Sequence, residues 1–230
     1  MKLLSILSFI FCLNLAHAGY FEGETESLTR PIDVEVDFTP DFFQTKPWIN
    51  EFHYVIVVNK ANEGAEAQSI NVYEYGQKII TSKVSTGRDQ FEKKGEHNSK
   101  RDSWTVTPTG YYTPTFLSKD HRSSAYGGIF SKITGGTKMP FAVFFNGDIA
   151  LHQAPKGTEG DLGKKASGGC IRLSQEVAEE IFNRVNEVKS AKIPDFRVDG
   201  TISTDANGKY AYRKNTGFSA LVIVINKVRE

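Results

Sequence analysis

Short apolar runs, separated by glycine, proline and polar residues, dominate the chain from residue 51 onward. Some of these runs are continuous, such as 53–58, and others alternate between apolar and polar residues, such as 69–75. Continuous runs are typical of buried strands, and alternating runs of strands with one buried face. The strands predicted in this part of the chain are 53–58, 69–75, 78–84, 104–106, 111–117, 141–145 and 149–151.

Polar stretches and turn residues interrupt the strand pattern. Residues 88–103 have no apolar period and predict a loop, and residues 118–138 are rich in glycine and serine. A loop as long as the second one inside a compact domain is more often functional than not, so a lid is predicted there. Between the last two predicted strands, Asn146-Gly147 is typical of a tight β-hairpin turn.

One substantial helix is predicted, beginning after Ser174. Ser174 suits the N-cap position, acidic residues come early in the segment and a lysine comes late, as the helix dipole favours. The apolar positions repeat every three or four residues: Val177, Ile181, Val185 and Val188. Two strand-like segments then end the chain, and a closing β-hairpin is predicted over 209–228. The fold class is therefore mainly β with one substantial α-helix.

The first part of the chain differs from the rest and predicts a secretory signal over 1–18. Lys2 gives it a positive start, residues 3–15 are apolar, and small residues precede a cleavage site after Ala18. This apolar run is too short to cross a membrane, and no later run is long enough. The mature chain is therefore expected to be exported, with no integral membrane segment.

An acidic arm over 19–50 follows the predicted signal. It holds seven acidic residues and two basic ones, a net charge of −5, with proline, glycine and weak periodicity. This composition predicts an extended, solvated segment laid on the main body rather than a separate domain. The remaining residues, 51–230, suit one domain. The whole chain of 230 residues has a formal net charge of +1, so it lacks the basic footprint that nucleic-acid binding requires.

Cysteine usage narrows the possible chemistry. Cys12 would leave with the signal, and Cys170 alone cannot form an internal disulfide. Cys170 is therefore either an inert buried thiol or a nucleophile. Gly168 and Gly169 precede it, and their missing side chains let a substrate carbonyl approach backbone N–H groups that can stabilise an oxyanion. His152, at the end of a predicted strand, is a candidate base for the thiol proton, since a free thiol is only slightly ionised near neutrality.

The residues around Cys170 and His152 form part of an ordered set of motifs along the chain. The segment Ser167-Gly-Gly-Cys-Ile-Arg172, with His152 eighteen positions before the cysteine, resembles the catalytic signature of the YkuD-like L,D-transpeptidases. Further blocks resemble that family in the same order: 84–87, 107–112, 139–141 and 147–152. The resemblance covers about residues 50–190. It implies a β-sandwich or barrel-like sheet domain, with the helix after the catalytic cysteine, and an exported enzyme of the periplasm or cell envelope.

The resemblance also implies an acyl-transfer reaction on peptidoglycan stem peptides. Cys170 corresponds to the nucleophile, which attacks the tetrapeptide donor, releases D-alanine and forms a thioester. His152 corresponds to the base that activates the thiol and later deprotonates the acceptor amine. The backbone N–H groups of Gly168, Gly169 and Cys170 would hold the oxyanion. No metal or organic cofactor is implied.

Three further residues are expected to support the active site or to bind substrate. Ser167 and Arg172 match motif positions expected to hold the turn and the pocket, and Tyr126 is expected to form part of a lid over the donor. One position departs from the family pattern. A second histidine usually stands directly before the Gly-Cys pair, and Gly168 stands there instead. This departure concerns thiolate stabilisation and the choice of acceptor more than activity itself.

Three functions remain open from the sequence. A transpeptidase would pass the acyl group to an amine, and an L,D-carboxypeptidase would pass it to water through the same thioester. A catalytically silent wall-binding module would use neither the thiol nor the imidazole. A monomer is the default expectation for the assembly.

Overall fold

The computed structural model describes residues 29–126, 135–190, 192–213 and 217–230. The predicted signal, the start of the acidic arm (19–28) and residues 127–134 of the predicted lid lie outside the described residues. Within the described ranges, no helix is both long enough and apolar enough to cross a membrane.

The described residues form two larger sheets, several short strand pairs and two α-helices. The helices are α1 (Phe42–Thr45) and α2 (Gln175–Glu187). The strands are β1 (Tyr54–Asn59), β2 (Ser69–Glu74), β3 (Gln77–Lys83), β4 (Phe91–Glu92), β5 (Ser103–Trp104), β6 (Gly110–Tyr112), β7 (Phe116–Ser123), β8 (Thr137–Asn146), β9 (Ile149–Gln153), β10 (Ile171–Leu173), β11 (Lys189–Ser190), β12 (Ile193–Pro194), β13 (Tyr212–Arg213), β14 (Gly217–Phe218) and β15 (Ala220–Ile225).

The two larger sheets have the strand orders β3-β2-β1-β15-β6 and β10-β9-β8-β7. In the first sheet β1 and β15 are parallel, and in the second β9 and β10 are parallel. The sheets face each other across an apolar core to which both contribute, for example Ile56 and Val222 from the first and Leu151 and Ile171 from the second. Burying one face of each sheet stabilises such a layered fold, and the mainly β prediction is confirmed.

The predicted helix and hairpin are formed. The Ser174 side chain accepts a hydrogen bond from the backbone N–H of Val177 and so caps α2. Ile181 and Val185 of the predicted stripe are buried, and the helix packs on β8 and β9. β8 and β9 form the predicted antiparallel hairpin, but Asn146 pairs with Ile149, so the turn lies at Gly147-Asp148, one position later than predicted.

The predicted closing hairpin over 209–228 is wrong. β15 does not pair with β13 but lies between β1 and β6 in the five-stranded sheet, parallel to β1 and antiparallel to β6. β13 pairs with β12 instead. All six residues of β15 are buried, because both faces of this central strand are covered. A run of apolar residues at the end of a chain is equally compatible with a hairpin and with a central strand.

The loop predicted over 118–138 is partly strand. β7 continues to Ser123 and β8 begins at Thr137, and these strands form a long antiparallel pair. Residues 118–123 and 137–138 of the predicted loop therefore belong to the four-stranded sheet. β7 alternates only weakly because it lies at the edge of its sheet and most of its side chains are exposed or half-buried, so polar residues are tolerated at both faces.

The described part of the acidic arm, residues 29–50, is only partly solvated, because four of its apolar side chains are buried. Val36, Phe38, Trp48 and Ile49 are buried against the face of the five-stranded sheet that points away from the other sheet. That face carries alternate residues of β1 and β15, which would otherwise be exposed to water. The arm therefore covers the second face of the sheet, which its acidic composition does not predict.

Candidate active site

The strand pair β9–β10 places the predicted nucleophile and base on one face of the second sheet. His152 pairs with Arg172, and Leu151 pairs with Ile171. Leu151 and Ile171 point into the core between the sheets. Because side chains alternate along a strand, His152 and Arg172 point to the opposite, outer face. Cys170 directly precedes β10 and contacts the outer-face apolar cluster that includes Ala150.

A cavity of about 610 Å³ lies over this outer face. All of the side chains and backbone groups predicted from the sequence to form the site line it together. They are Tyr126, His152, Ser167, Gly168, Gly169, Cys170 and Arg172. Cys170 is half-buried and borders the cavity, so its thiol is neither enclosed in the core nor separated from His152 by the sheet.

Ser167 closes the turn that carries the cysteine. Its hydroxyl donates to the carbonyl of Cys170 and accepts from the N–H of Gly169 at 3.1 Å. Ser167 is buried, so these hydrogen bonds are shielded from water. Gly169 has a φ of +131°, and a Cβ there would lie 3.0 Å from the carbonyl oxygen of Val106. This turn therefore needs glycine at position 169 both for its backbone angle and for its close approach to a neighbouring segment.

Two upstream segments that carry the family resemblance hold this turn from behind. The N–H groups of Ala166 and Ser167 both donate to the carbonyl of Thr86, at 3.0 and 2.9 Å. The Thr107 hydroxyl donates to the carbonyl of Gly169 at 2.6 Å and accepts from the N–H of Gly87 at 2.9 Å. The blocks 84–87 and 107–112 therefore support the cysteine turn and do not themselves supply reactive side chains.

Tyr126 packs directly on Gly168. Its hydroxyl donates to the carbonyl of Gly168 at 3.3 Å. A Cβ at position 168 would overlap the phenol ring of Tyr126. The space that a side chain at position 168 would need is therefore filled by Tyr126, which gives a steric reason for glycine at this position. Burial raises the pKa of the Tyr126 phenol, so the hydroxyl keeps its hydrogen near neutral pH.

The imidazole of His152 is held in one orientation. Its Nδ1 lies 2.6 Å from the carbonyl oxygen of Gln153. Because a carbonyl oxygen only accepts, Nδ1 carries the hydrogen in the neutral ring, and Nε2 keeps a free lone pair. Burial lowers the pKa of His152 to about 4, an effect that the Gln153 carbonyl partly opposes. The ring is therefore neutral near pH 7 and able to accept a proton at Nε2.

The thiol of Cys170 is neutral in the resting site. Burial raises its pKa to about 11, while the backbone of Ala150 and the charge of Arg172 oppose that shift. The thiol donates to the carbonyl of Asp148 at 3.6 Å and is not hydrogen-bonded to His152. With the imidazole also neutral, the resting pair is thiol and imidazole, not thiolate and imidazolium. The proton must therefore leave the sulfur during attack on a substrate.

The three backbone N–H groups predicted for the oxyanion are not equivalent. The N–H of Gly169 is donated to Ser167, so it is not free to bind an oxyanion in this arrangement. The N–H groups of Gly168 and Cys170 have no acceptor among the residues that the structure describes. In this arrangement the N–H groups of Gly168 and Cys170 are the remaining candidate donors to an oxyanion.

Arg172 contacts the same turn from the cavity side. Its Nη1 donates to the carbonyl of Ala166 at 3.3 Å, and Arg88 donates to the same oxygen at 2.6 Å. Both guanidinium groups therefore fix the start of the turn. Desolvation and the nearby Arg88 lower the pKa of Arg172, but an arginine remains charged near neutral pH.

Several residues of the cavity wall were not predicted from the sequence. Trp104 lines the cavity, as does His121 on the edge strand. The wall also includes Lys100, Arg101 and Arg122 against a single carboxylate, Asp148. Lys100 and Arg101 come from the predicted loop over 88–103 and Arg122 from the edge strand, where no apolar period marks a side chain as facing the cavity. Across the described ranges no group of three or more His, Cys, Asp or Glu side chains is placed to hold a metal ion.

Comparisons with known proteins agree with the resemblance. The family model of the L,D-transpeptidase catalytic domain, YkuD, matches residues 53–202. No curated protein matches the chain.

Among solved structures, similar chains include an L,D-transpeptidase from Xylanimonas cellulosilytica (18% identity, TM-score 0.45, covering 75% of this chain and 60% of that one). An L,D-transpeptidase from Mycobacterium tuberculosis has 19% identity and a TM-score of 0.44, covering 75% of this chain and 57% of that one. L,D-transpeptidase 3 from M. tuberculosis with a faropenem-derived adduct has 18% identity and a TM-score of 0.43, covering 76% and 60%.

The chain spans about three fifths of the length of these solved structures. The family model, in contrast, matches well over half of this chain and contains the cavity residues Tyr126, His152, Cys170 and Arg172. The chain therefore belongs to the YkuD family of L,D-transpeptidase catalytic domains.

Proposed function

We propose that this protein is an exported cysteine L,D-transpeptidase that acts on the stem peptides of peptidoglycan through a thioester acyl-enzyme. One observation carries the proposal. Cys170 and His152 border the same cavity, and the contact of His152 Nδ1 with Gln153 leaves Nε2 as the basic nitrogen. A thiol and an oriented base that face the same cavity are the groups that nucleophilic acyl transfer requires.

In the first half-reaction, Cys170 turns about χ1 away from the Asp148 carbonyl, and His152 Nε2 takes the thiol proton as the sulfur attacks. The sulfur forms a bond to the carbonyl carbon of the third residue of a tetrapeptide stem. The oxyanion is held by the N–H groups of Gly168 and Cys170. When the peptide C–N bond breaks, imidazolium returns the proton to the leaving amine of D-alanine, and a thioester remains.

In the second half-reaction, an acceptor amine attacks the thioester. His152 accepts a proton from the amine, the new amide bond forms, and the C–S bond breaks. The sulfur then takes up the proton from His152, which restores the neutral pair. With an amine of another stem the product is a cross-link, and with a free D-amino acid it is an exchanged terminus. With water the same steps make an L,D-carboxypeptidase.

Export follows from the predicted signal over 1–18, so the proposed location is the periplasm or cell envelope, where peptidoglycan is accessible. The assembly is proposed to be a monomer.

Incubation with a purified disaccharide-tetrapeptide, followed by mass spectrometry of the products, tests the proposed reaction. We expect either a cross-linked dimer or, when a D-amino acid such as D-methionine is added, a tetrapeptide with that residue at its terminus. In both cases D-alanine is released. A matched incubation without added amine gives the rate of hydrolysis.

The products also discriminate between the alternatives. Tripeptide alone, at a rate that added D-amino acid does not change, would identify a carboxypeptidase. Unchanged tetrapeptide, with retention of the protein on insoluble peptidoglycan, would contradict the enzymatic proposal and identify a wall-binding module.

A further inference from the structure

A buried lysine lies behind the cysteine turn. Lys60 directly follows β1 and is 1% exposed. Its ammonium donates to both carboxylate oxygens of Asp33, at 2.7 and 2.9 Å, and to the carbonyl of Thr107 at 2.9 Å. A buried ammonium needs a counter-charge and a partner for each of its hydrogens, and these three contacts supply both. Desolvation lowers the pKa of Lys60, and Asp33 acts against that shift.

The carboxylate that neutralises Lys60 comes from the acidic arm. Asp33 lies outside residues 53–202, which match the catalytic-domain family. Besides Lys60 it binds the N–H of Thr109 at 3.0 Å and faces Arg30 at 3.4 Å. The two ends of this ion pair thus come from different parts of the chain, and the arm completes a charge pair inside the catalytic domain.

Thr107 links this ion pair to the cysteine turn. Its carbonyl accepts from Lys60, and its hydroxyl donates to the carbonyl of Gly169 at 2.6 Å. That carbonyl belongs to the peptide group that joins Gly169 to Cys170. A trans peptide group is planar, and its C=O and N–H point in opposite directions. Fixing the carbonyl of Gly169 on Thr107 therefore also fixes the direction of the Cys170 N–H.

We propose that Asp33 is a positioning residue of the active site. It acts through Lys60 and Thr107 on the peptide group between Gly169 and Cys170, whose N–H donates to the oxyanion. Asp33 holds the ammonium, the ammonium holds the Thr107 carbonyl, and the Thr107 hydroxyl holds the Gly169 carbonyl. The acidic arm thereby supplies one positioning residue of the active site, Asp33, in addition to covering the sheet. This inference rests on the proposed function, because the Cys170 N–H binds an oxyanion only if Cys170 is the nucleophile of an acyl transfer.

Two reactions of the same thiol separate positioning of the oxyanion donor from general damage. Acylation by a carbapenem joins the sulfur to the lactam carbonyl carbon, breaks the ring C–N bond and develops an oxyanion. Alkylation by iodoacetamide displaces iodide at a saturated carbon and develops none. The ratio of the two rate constants, both followed at Cys170 by mass spectrometry, therefore reports on the oxyanion donor alone.

For Asp33→Asn we expect carbapenem acylation to slow by about tenfold or more, a part of the about 10²–10³-fold that loss of one oxyanion donor costs. Alkylation of Cys170 should keep the wild-type rate. The matched control is Asp37→Asn. Asp37 is also a carboxylate of the arm, paired with Arg229 at 2.6 Å, but its contacts do not lead to the cysteine turn. The control should leave both rates unchanged.

Two double variants distinguish loss of positioning from loss of stability. Asp33→Asn with Lys60→Met removes the uncompensated charge and restores thermal stability, yet acylation should stay slow because nothing holds the Thr107 carbonyl. In a Thr107→Val background, where the link to Gly169 is already cut, Asp33→Asn should cause no further loss.

The inference is overturned if Asp33→Asn leaves the acylation rate unchanged or lowers acylation and alkylation equally. It is also overturned if Lys60→Met restores acylation in the Asp33→Asn background. Absence of acylation in the wild-type protein would instead count against the proposed function, so the two failures are distinguishable.

Discussion

Replacing Cys170 with alanine should abolish acylation by a carbapenem and the release of D-alanine from a tetrapeptide stem. Among the residues that line the cavity, Cys170 is the one whose side chain can form a thioester. The substitution removes a half-buried thiol and leaves the Ser167 contacts with the backbone in place. We therefore expect the free energy of unfolding to change by about 1 kcal/mol or less. Intact-mass spectrometry after incubation with the carbapenem measures the adduct directly.

The control for this variant is its stability, measured by thermal unfolding beside the wild-type protein. A folded alanine variant without adduct and without products supports the assignment of the nucleophile. A folded alanine variant that still carries the carbapenem mass would place the nucleophile on another residue. Peptide mapping of the wild-type adduct should locate it at Cys170.

Replacing His152 with glutamine should lower the rate constant of acylation by about 10²–10⁴-fold, the usual contribution of a general base. The pKa of the thiol is raised to about 11, so at neutral pH the sulfur depends on a base to lose its proton. Glutamine keeps a similar polar volume but cannot accept that proton. The acylation rate is measured from the growth of the adduct mass with time.

The pH dependence of acylation by the wild-type protein also tests the role of His152 as the base. Because burial lowers the pKa of His152 to about 4, the imidazole remains an acceptor well below its ordinary value of 6.5. Acylation should therefore fall as the pH drops through about 4 and not through 6.5. The unfolded chain binds this proton more readily, so stability should decrease as the pH falls from 6.5 towards 4. Rates are compared only where unfolding measurements show a folded protein.

His53→Gln is the matched control for the histidine. His53 contacts Glu74 and Tyr75 and does not border the cavity. This variant should retain the wild-type rate and pH profile. An acid limb near 6.5 in the wild-type protein, or a His152→Gln variant as fast as the wild type, would contradict the role proposed for His152.

Features set by neighbouring residues were predictable from the sequence. The Ser174 cap and the apolar stripe of α2 depend on residues within one helix, and the β8–β9 turn depends on the few residues from Asn146 to Ile149. Cys170 and His152 were proposed from an ordered set of motifs, and the structure places both at the same cavity. For the cap and the turn, the physical cause lies within a few positions of the residue concerned.

Features set by distant partners were not predictable. The central place of β15 depends on pairing with β1, which lies more than 150 positions earlier. The burial of the arm depends on a sheet face that must be covered. Residues 118–123 of the edge strand β7 were predicted as loop because, with few buried positions, they have no strong apolar period. Each of these features requires knowledge of which surfaces meet, which a periodic pattern does not contain.

The residues that support the cysteine turn could not be predicted from the sequence for the same reason. Lys60 follows an apolar strand, which is a weak sign of burial, but nothing near it in the sequence indicates a partner. Thr107 was noticed only as part of a family block, without its contact to Gly169. The hydrogen bond from the Gly169 N–H to the Ser167 hydroxyl was likewise hidden, because it forms only when the turn closes.

The most direct test of the account is the mass of Cys170 during turnover of a tetrapeptide stem. Rapid acid quenching, followed by peptide mapping, should find the cysteine peptide carrying the donor acyl group without its terminal D-alanine. Hydroxylamine should remove this group, as expected for a thioester. Products formed without any acyl group at Cys170, or an acyl group found on a different residue, would contradict the thioester mechanism.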